Sequence, residues 1–244
     1  MKFFQQDFDD IKGSNNPDII NDFIIKLSEN PNKEQLKYLK YLIDNLDTQI
    51  LNKITLNLIY ALGELGNLTS LDENYLNFIH ETYLHSDRWI RNEIIQAIDK
   101  ISKKSHLNEN IVLLIGGALN DDYPPIKINT LKVLLNLKQV PDLVFTNIFY
   151  VLNSKDSEVL ESCRRVLEKI HLETHKLFDL LNRLDNYKIL KLRAIRSLLL
   201  IQFKSIFNLE SFREEIGSSK WDNSFKEKYL TEIDTFQRIL IKNM

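Results

Sequence analysis

Residues 87–104 read Asp-Arg-Trp-Ile-Arg-Asn-Glu-Ile-Ile-Gln-Ala-Ile-Asp-Lys-Ile-Ser-Lys-Lys. Ile90, Ile94, Ala97, Ile98 and Ile101 stand at offsets 0, 4, 7, 8 and 11, the spacing of one face of an α-helix. Asp87 stands where its carboxylate can accept from the unpaired amides of the first turn and suits the positive end of the helix dipole. The same stripe returns as Ile54-Leu58-Ala61-Leu62-Leu65, Ile126-Thr130-Val133-Leu134-Leu137, Val159-Cys163-Val166-Leu167-Ile170 and Leu190-Ala194-Ser197-Leu198-Ile201. The starting positions advance by 36, 36, 33 and 31 residues. The third position is always small or β-branched (Ala61, Ala97, Val133, Val166, Ser197), as close helix packing requires. Another apolar helix precedes each stripe, so the unit is a helix hairpin. A single hairpin cannot bury its own faces, whereas a stack can.

The rest of the chain agrees. Six glycines and five prolines in 244 residues are too few for the many turns of an all-β fold. Helical periodicity runs almost unbroken from residue 17 to residue 242. Helices are expected at about 48–65, 87–103, 108–120, 124–138, 156–170, 188–204 and 221–242, among others. Gly66-Asn67 reads as a break, Asp122 and Asp156 as helix starts, and Pro124-Pro125 as a first turn. Residues 1–16, with Phe3, Phe4 and Phe8 among acidic side chains, read as a lead-in that need not be ordered. Residues 17–244 read as a single domain. Within it, helix 221–242 caps the stack through Trp221, Phe225, Tyr229, Ile233, Phe236 and Leu240, with Lys226, Glu227, Glu232 and Arg238 on its charged face.

The pattern over residues 48–204 resembles the HEAT repeat family. Asp87-Arg88-Trp89-Ile90-Arg91 with Ala97 and Ile98 is similar to that family's Asp-x-x-(Ile/Val)-Arg start of a second helix; Asp122 with Lys127 is a weaker copy. Leu160 and Lys191 stand where the arginine would be in the last two units. The resemblance implies an all-α solenoid, a right-handed superhelix of about six stacked antiparallel helix pairs, whose second helices line a concave surface.

Net charge is −2, which gives no whole-protein grip on nucleic acid or an anionic membrane. The single cysteine, Cys163, precludes an internal disulfide and suits the reducing cytoplasm. The start turns acidic before any apolar run, unlike a secretory signal. Ile111–Leu119, the longest apolar run, is too short to span a bilayer. No catalytic, metal or cofactor motif is expected. His171 and His175 are four apart, but the helix should break near Leu172. Cys163 lies on a buried stripe and reads as an inert core thiol. Gly116-Gly117 reads as a close helix contact.

Charge is unevenly spread. In the four clearest pairs the first helices sum to −7 and the second to +8. Lys132, Arg165 and Arg196 share one outward repeat position, which at about 10 Å per repeat makes a ladder about 20 Å long. Arg193 flanks it, and Arg91, Lys127 and Lys191 share another column nearer the core edge. Arg91 has a structural alternative, pairing with an aspartate at a neighbouring turn. Leu135 and Leu199 form an apolar column. The expected function is a non-enzymatic scaffold that binds a partner protein's acidic or amphipathic segment on this face, with a homo-oligomer left open. The ladder reading requires that its three cations are not already held by carboxylates of the same chain. Two alternatives follow from HEAT-like proteins of this size: nucleic-acid binding of a DNA-glycosylase kind, and a lyase or assembly factor for a tetrapyrrole-binding protein.

Overall fold

The computed structural model describes residues 2–174, 177–203 and 208–242. Among these residues the protein is all-α, with fourteen α-helices, three short 3-10 turns and no strand. It divides into two compact units, residues 1–138 and 139–244. The boundary falls between the third and fourth copies of the stripe.

The first unit holds α1 (Lys2–Ile11), α2 (Pro17–Glu29), α3 (Leu36–Asn45), α4 (Thr48–Leu68), α5 (Glu73–Leu84), α6 (Arg88–Ile101), α7 (Glu109–Ala118) and α8 (Pro124–Asn136). The second helices pack in series, α2 on α4, α4 on α6 and α6 on α8, while α5 packs on α7 among the first helices. The second unit holds α9 (Phe145–Val151), α10 (Ser157–Thr174), α11 (Leu177–Arg183), α12 (Leu192–Gln202), α13 (Leu209–Ser218) and α14 (Asn223–Lys242). Here α10 packs on α12 and α12 on α14. Helix α14 is thus the next member of a series. Phe225, Tyr229, Ile233 and Phe236 occupy four of the five stripe positions, and all but half-buried Phe236 are buried. The side chain of Leu240 lies outside the described residues.

The stripe is the core. All of its members in the five copies are buried except Ile90 and Leu137, which are half-buried. The small third position matters where α4 meets α6. A Cβ added at Gly63 would come 3.0 Å from the Cα of Ala97, and one at Gly66 would come 2.5 Å from the Cγ1 of Ile101. Gly66 is therefore no terminator. Helix α4 runs through it to Leu68, and the missing side chain serves the close approach. Gly117 is the reverse case: it is exposed, with nothing within 4 Å of an added Cβ, while its neighbour Gly116 is buried.

The caps follow the sequence with one shift. Asp87 accepts from the amides of Trp89 and Ile90 at 2.8 and 3.1 Å, and Asp156 from those of Glu158 and Val159. Asp122 does not cap α8. Tyr123 takes the cap position, and Pro124-Pro125 supply the first turn, where missing N–H groups leave nothing to satisfy. The N-terminal segment departs from expectation: Lys2–Ile11 is helical, and Phe8 packs on the rings of Phe23, Tyr38 and Tyr41 at 5.9, 4.6 and 5.3 Å. The helix expected to break near Leu172 continues to Thr174, so His171 is a buried helical residue; His175 lies outside the described residues.

Ala97→Glu places a charge where α6 meets the backbone of α4. It should cost about 3 kcal/mol or more, measured by urea denaturation. Cys163 is fully buried and donates to the carbonyl of Ile148 at 3.2 Å. Cys163→Ala, a small cavity, should cost about 1 kcal/mol in the same measurement. Wild-type stability of the Ala97→Glu chain would refute the packing register.

Candidate functional site

The start of α6 brings two structural roles into five residues. Asp87 caps the helix, and one turn later Arg91 points back over the turn. Its Nε donates to Asp121 Oδ2 at 2.9 Å and its Nη1 to the carbonyl of Ser86 at 2.9 Å. The other oxygen of Asp121 accepts from the amide of Tyr123 at 2.9 Å. The Asp121 side chain is only 8% exposed. Burial, reinforced by Asp121, pushes the Tyr83 phenol beside them up to about 12. The structural alternative for Arg91 holds: it ties the turn before α6 to the turn before α8, in neighbouring hairpins.

The outward faces of the second helices carry a polar seam. In the first unit Lys100 on α6 reaches Glu64 on α4 at 2.8 Å and lies 4.6 Å from the ring of Tyr60. Glu93 is half-buried nearby, its carboxyl raised by burial, an effect that Lys100 opposes and Glu64 reinforces. Asn92 accepts from Asn129 at 2.9 Å, and Asp99 from Asn136 at 2.8 Å.

The expected rungs prove to have carboxylate neighbours. Lys132, in the first unit, has its Nζ 3.8 Å from Asp99. Arg165, in the second, lies 3.5 Å from Glu161. Both side chains are 65% exposed, and contacts of this kind contribute roughly 0–1 kcal/mol. Arg196 is different. Its Nε and Nη2 donate to both oxygens of Glu232 at 2.7 and 3.2 Å, and Glu232 is 6% exposed. Glu232 occupies the small third position in α14, so it faces back to α12 and not onto a charged outer face. The ladder of three free cations is therefore corrected. Arg196 is a fastening between α12 and α14, and the other two rungs are loosely paired.

The remaining expected site residues are dispersed. Arg193 donates to the carbonyl of Ser154 at 2.7 Å. Lys127 is half-buried in the first turn of α8, and Leu135 on α8 is exposed. Leu199 is fully buried and belongs to the core; it is no surface anchor, because α14 packs on α12. Among the described residues no group of three or more His, Cys, Asp or Glu side chains is placed to hold a metal ion. No described helix is long and apolar enough to cross a membrane.

One cluster went unread in the sequence. Trp89, in the first turn of α6, is 57% exposed. The ring of Tyr123, at the start of α8, meets it edge-on at 5.9 Å. The guanidinium of Arg88 lies 5.1 Å from the Trp89 ring and 5.4 Å from that of Tyr123. Arg88 is exposed and makes no ion pair among the described residues. The signal was present: two aromatic side chains at the starts of consecutive second helices, one repeat apart, beside an arginine off the buried stripe. No family model matches this chain, and no curated protein is found to be similar to it.

Arg91→Met leaves Asp121 buried without its counter-charge. It should cost about 2–3 kcal/mol in urea denaturation, and Asp121→Asn added to it should restore part of that loss. Burial pushes the Cys163 thiol far up, so the reactive thiolate is suppressed. Iodoacetamide at pH 8 should label the folded chain only at the rate of its unfolding. Labelling as fast as a free peptide thiol would show that the site is open.

Proposed function

We propose that the protein is a non-catalytic scaffold of HEAT-like helical-repeat architecture. It receives a segment of a partner protein across the starts of α6 and α8 and the outward faces of α4, α6 and α8, all in the first unit. One observation carries this reading: the exposed Trp89 with Arg88 and Tyr123 around it. Tryptophan, tyrosine and arginine are the side chains that dominate binding energy at protein interfaces. The series packing of α4, α6 and α8 supports it further, because it sets chemically varied outward side chains at repeating positions. Tyr60, Gln96 and Lys132 occupy the same position in successive helices, a surface suited to an elongated segment.

Affinity capture after nuclease treatment tests the reading, comparing the wild-type chain with Trp89→Ala and with the Lys132→Glu/Arg165→Glu double variant. These side chains are exposed, so all three chains should fold alike by circular dichroism. A protein held by the wild type should be held at least about tenfold more weakly by Trp89→Ala. The double variant should weaken it less, because Lys132 and Arg165 already have carboxylate neighbours. Undiminished capture by Trp89→Ala overturns the placement of the site, and loss on nuclease treatment overturns the protein-partner reading.

A further inference from the structure

The side chains around Trp89 differ in how far their charges are already engaged. Asp87 accepts from two backbone amides, and its charge faces the positive end of the helix dipole. Asp121 and Arg91 hold each other. Arg88 is exposed and meets no carboxylate among the described residues, and its guanidinium lies 5.1 and 5.4 Å from two aromatic rings. Cation–π contact of this kind restrains the side chain without using its N–H donors on a carboxylate. The natural complement of an exposed, unpaired guanidinium is a single carboxylate bound through two parallel hydrogen bonds. Beside it, the exposed surface of Trp89 offers apolar area to an adjacent side chain.

We propose that the Arg88–Trp89–Tyr123 cluster recognises an aspartate or glutamate of the partner segment, with an apolar side chain next to it packed on Trp89; this rests on the scaffold reading above. The unengaged guanidinium of Arg88 selects that occupant, since Asp87 is held by backbone amides and Asp121 by Arg91. Exposed Asp122 stands beside Tyr123 and, with Asp87, sets negative charge near the cluster that a longer anion would have to pass. One carboxylate can meet Arg88 while its chain leads away from those groups. A nucleic-acid strand would bring a row of phosphates past them, although its bases have the right shape to stack on the rings.

The chain contains two tryptophans, and Trp221 is 3% exposed with no hydrogen bond to its indole nitrogen among the described residues. A Trp221→Phe background therefore leaves Trp89 as the sole reporter. Random heptapeptides displayed on phage are selected on this chain. The enriched ones are then synthesised and titrated by Trp89 fluorescence at about 0.15 M ionic strength. The expected result is a shared acidic residue beside an apolar one. Exchange of that residue for its amide should weaken binding at least about tenfold. Arg88→Gln should weaken binding to the same extent, the two losses should not add, and Arg88→Lys should not rescue, since an ammonium lacks the fork.

Failures separate the two readings. Enriched peptides without an acidic residue, or binding indifferent to Arg88→Gln but lost with Trp89→Ala, overturn the carboxylate and leave the scaffold standing. No enrichment, or binding indifferent to Trp89→Ala, overturns both. So does a saturable change in Trp89 emission with oligothymidylate and none with peptide.

Discussion

The approach of α4 to α6 sets the scale for the first unit. Two helices can lie close only where one of them presents almost no side chain. Gly63 and Gly66 provide that on α4, where Ala97 of α6 lies against Gly63 and Ile101 of α6 against Gly66. A helix interior ordinarily disfavours glycine by about 1 kcal/mol relative to alanine, so the two glycines are accounted for by what they let in. At this distance the polar side chains along the rim of the contact, such as Glu64 and Lys100, can meet directly. At a wider one they would reach only water.

That geometry explains why an uneven charge distribution in the sequence does not become a free basic surface. Arg91, Lys100 and Arg196 each cross from one second helix to a partner in an adjacent repeat or turn, and each ends on a carboxylate. The partners Asp121 and Glu232 are nearly buried. A buried carboxylate without its cation would be costly, so these cations are committed to the fold. Arg88 is outside that scheme because, among the described residues, its guanidinium lies against two aromatic rings and meets no carboxylate.

The helical stripes were legible because each copy repeats a five-position pattern of one chemical kind, and burial of that pattern is what stacking demands. The roles of Asp87, Asp156 and Pro124-Pro125 were legible for a local reason: a cap depends on the next three residues alone. Gly66 was misread because a glycine at a helix end and a glycine at a helix contact look alike without the neighbour. Glu232 was misread for the same cause; it occupies a stripe position whose usual occupant is small, and only Arg196 across the contact makes it tolerable. Leu199 was placed outward because its column pairs it with Leu135, although α14 packs on the helix that carries it. The Arg88–Trp89–Tyr123 cluster joins residues 34 apart, so no local window contains it.

Many of the cross-links between helices share a sequence distance. Asn57 donates to Asn21, Lys100 to Glu64, Asn129 to Asn92, Asn136 to Asp99 and Arg196 to Glu232, at separations of 36 or 37 residues. In each case one hairpin is joined to the hairpin beside it, and none of these bonds reaches two repeats away. Within a unit, a seam of that kind is modular in length. A whole repeat can enter or leave by duplication or excision, and the new neighbours meet with complementary edges of the same type. An insertion of half a repeat has no such welcome, because it turns a stripe from the contact to the solvent. Change in a unit built this way is therefore quantised, tolerated in steps of a whole repeat, 36 residues in the first unit, and opposed in between.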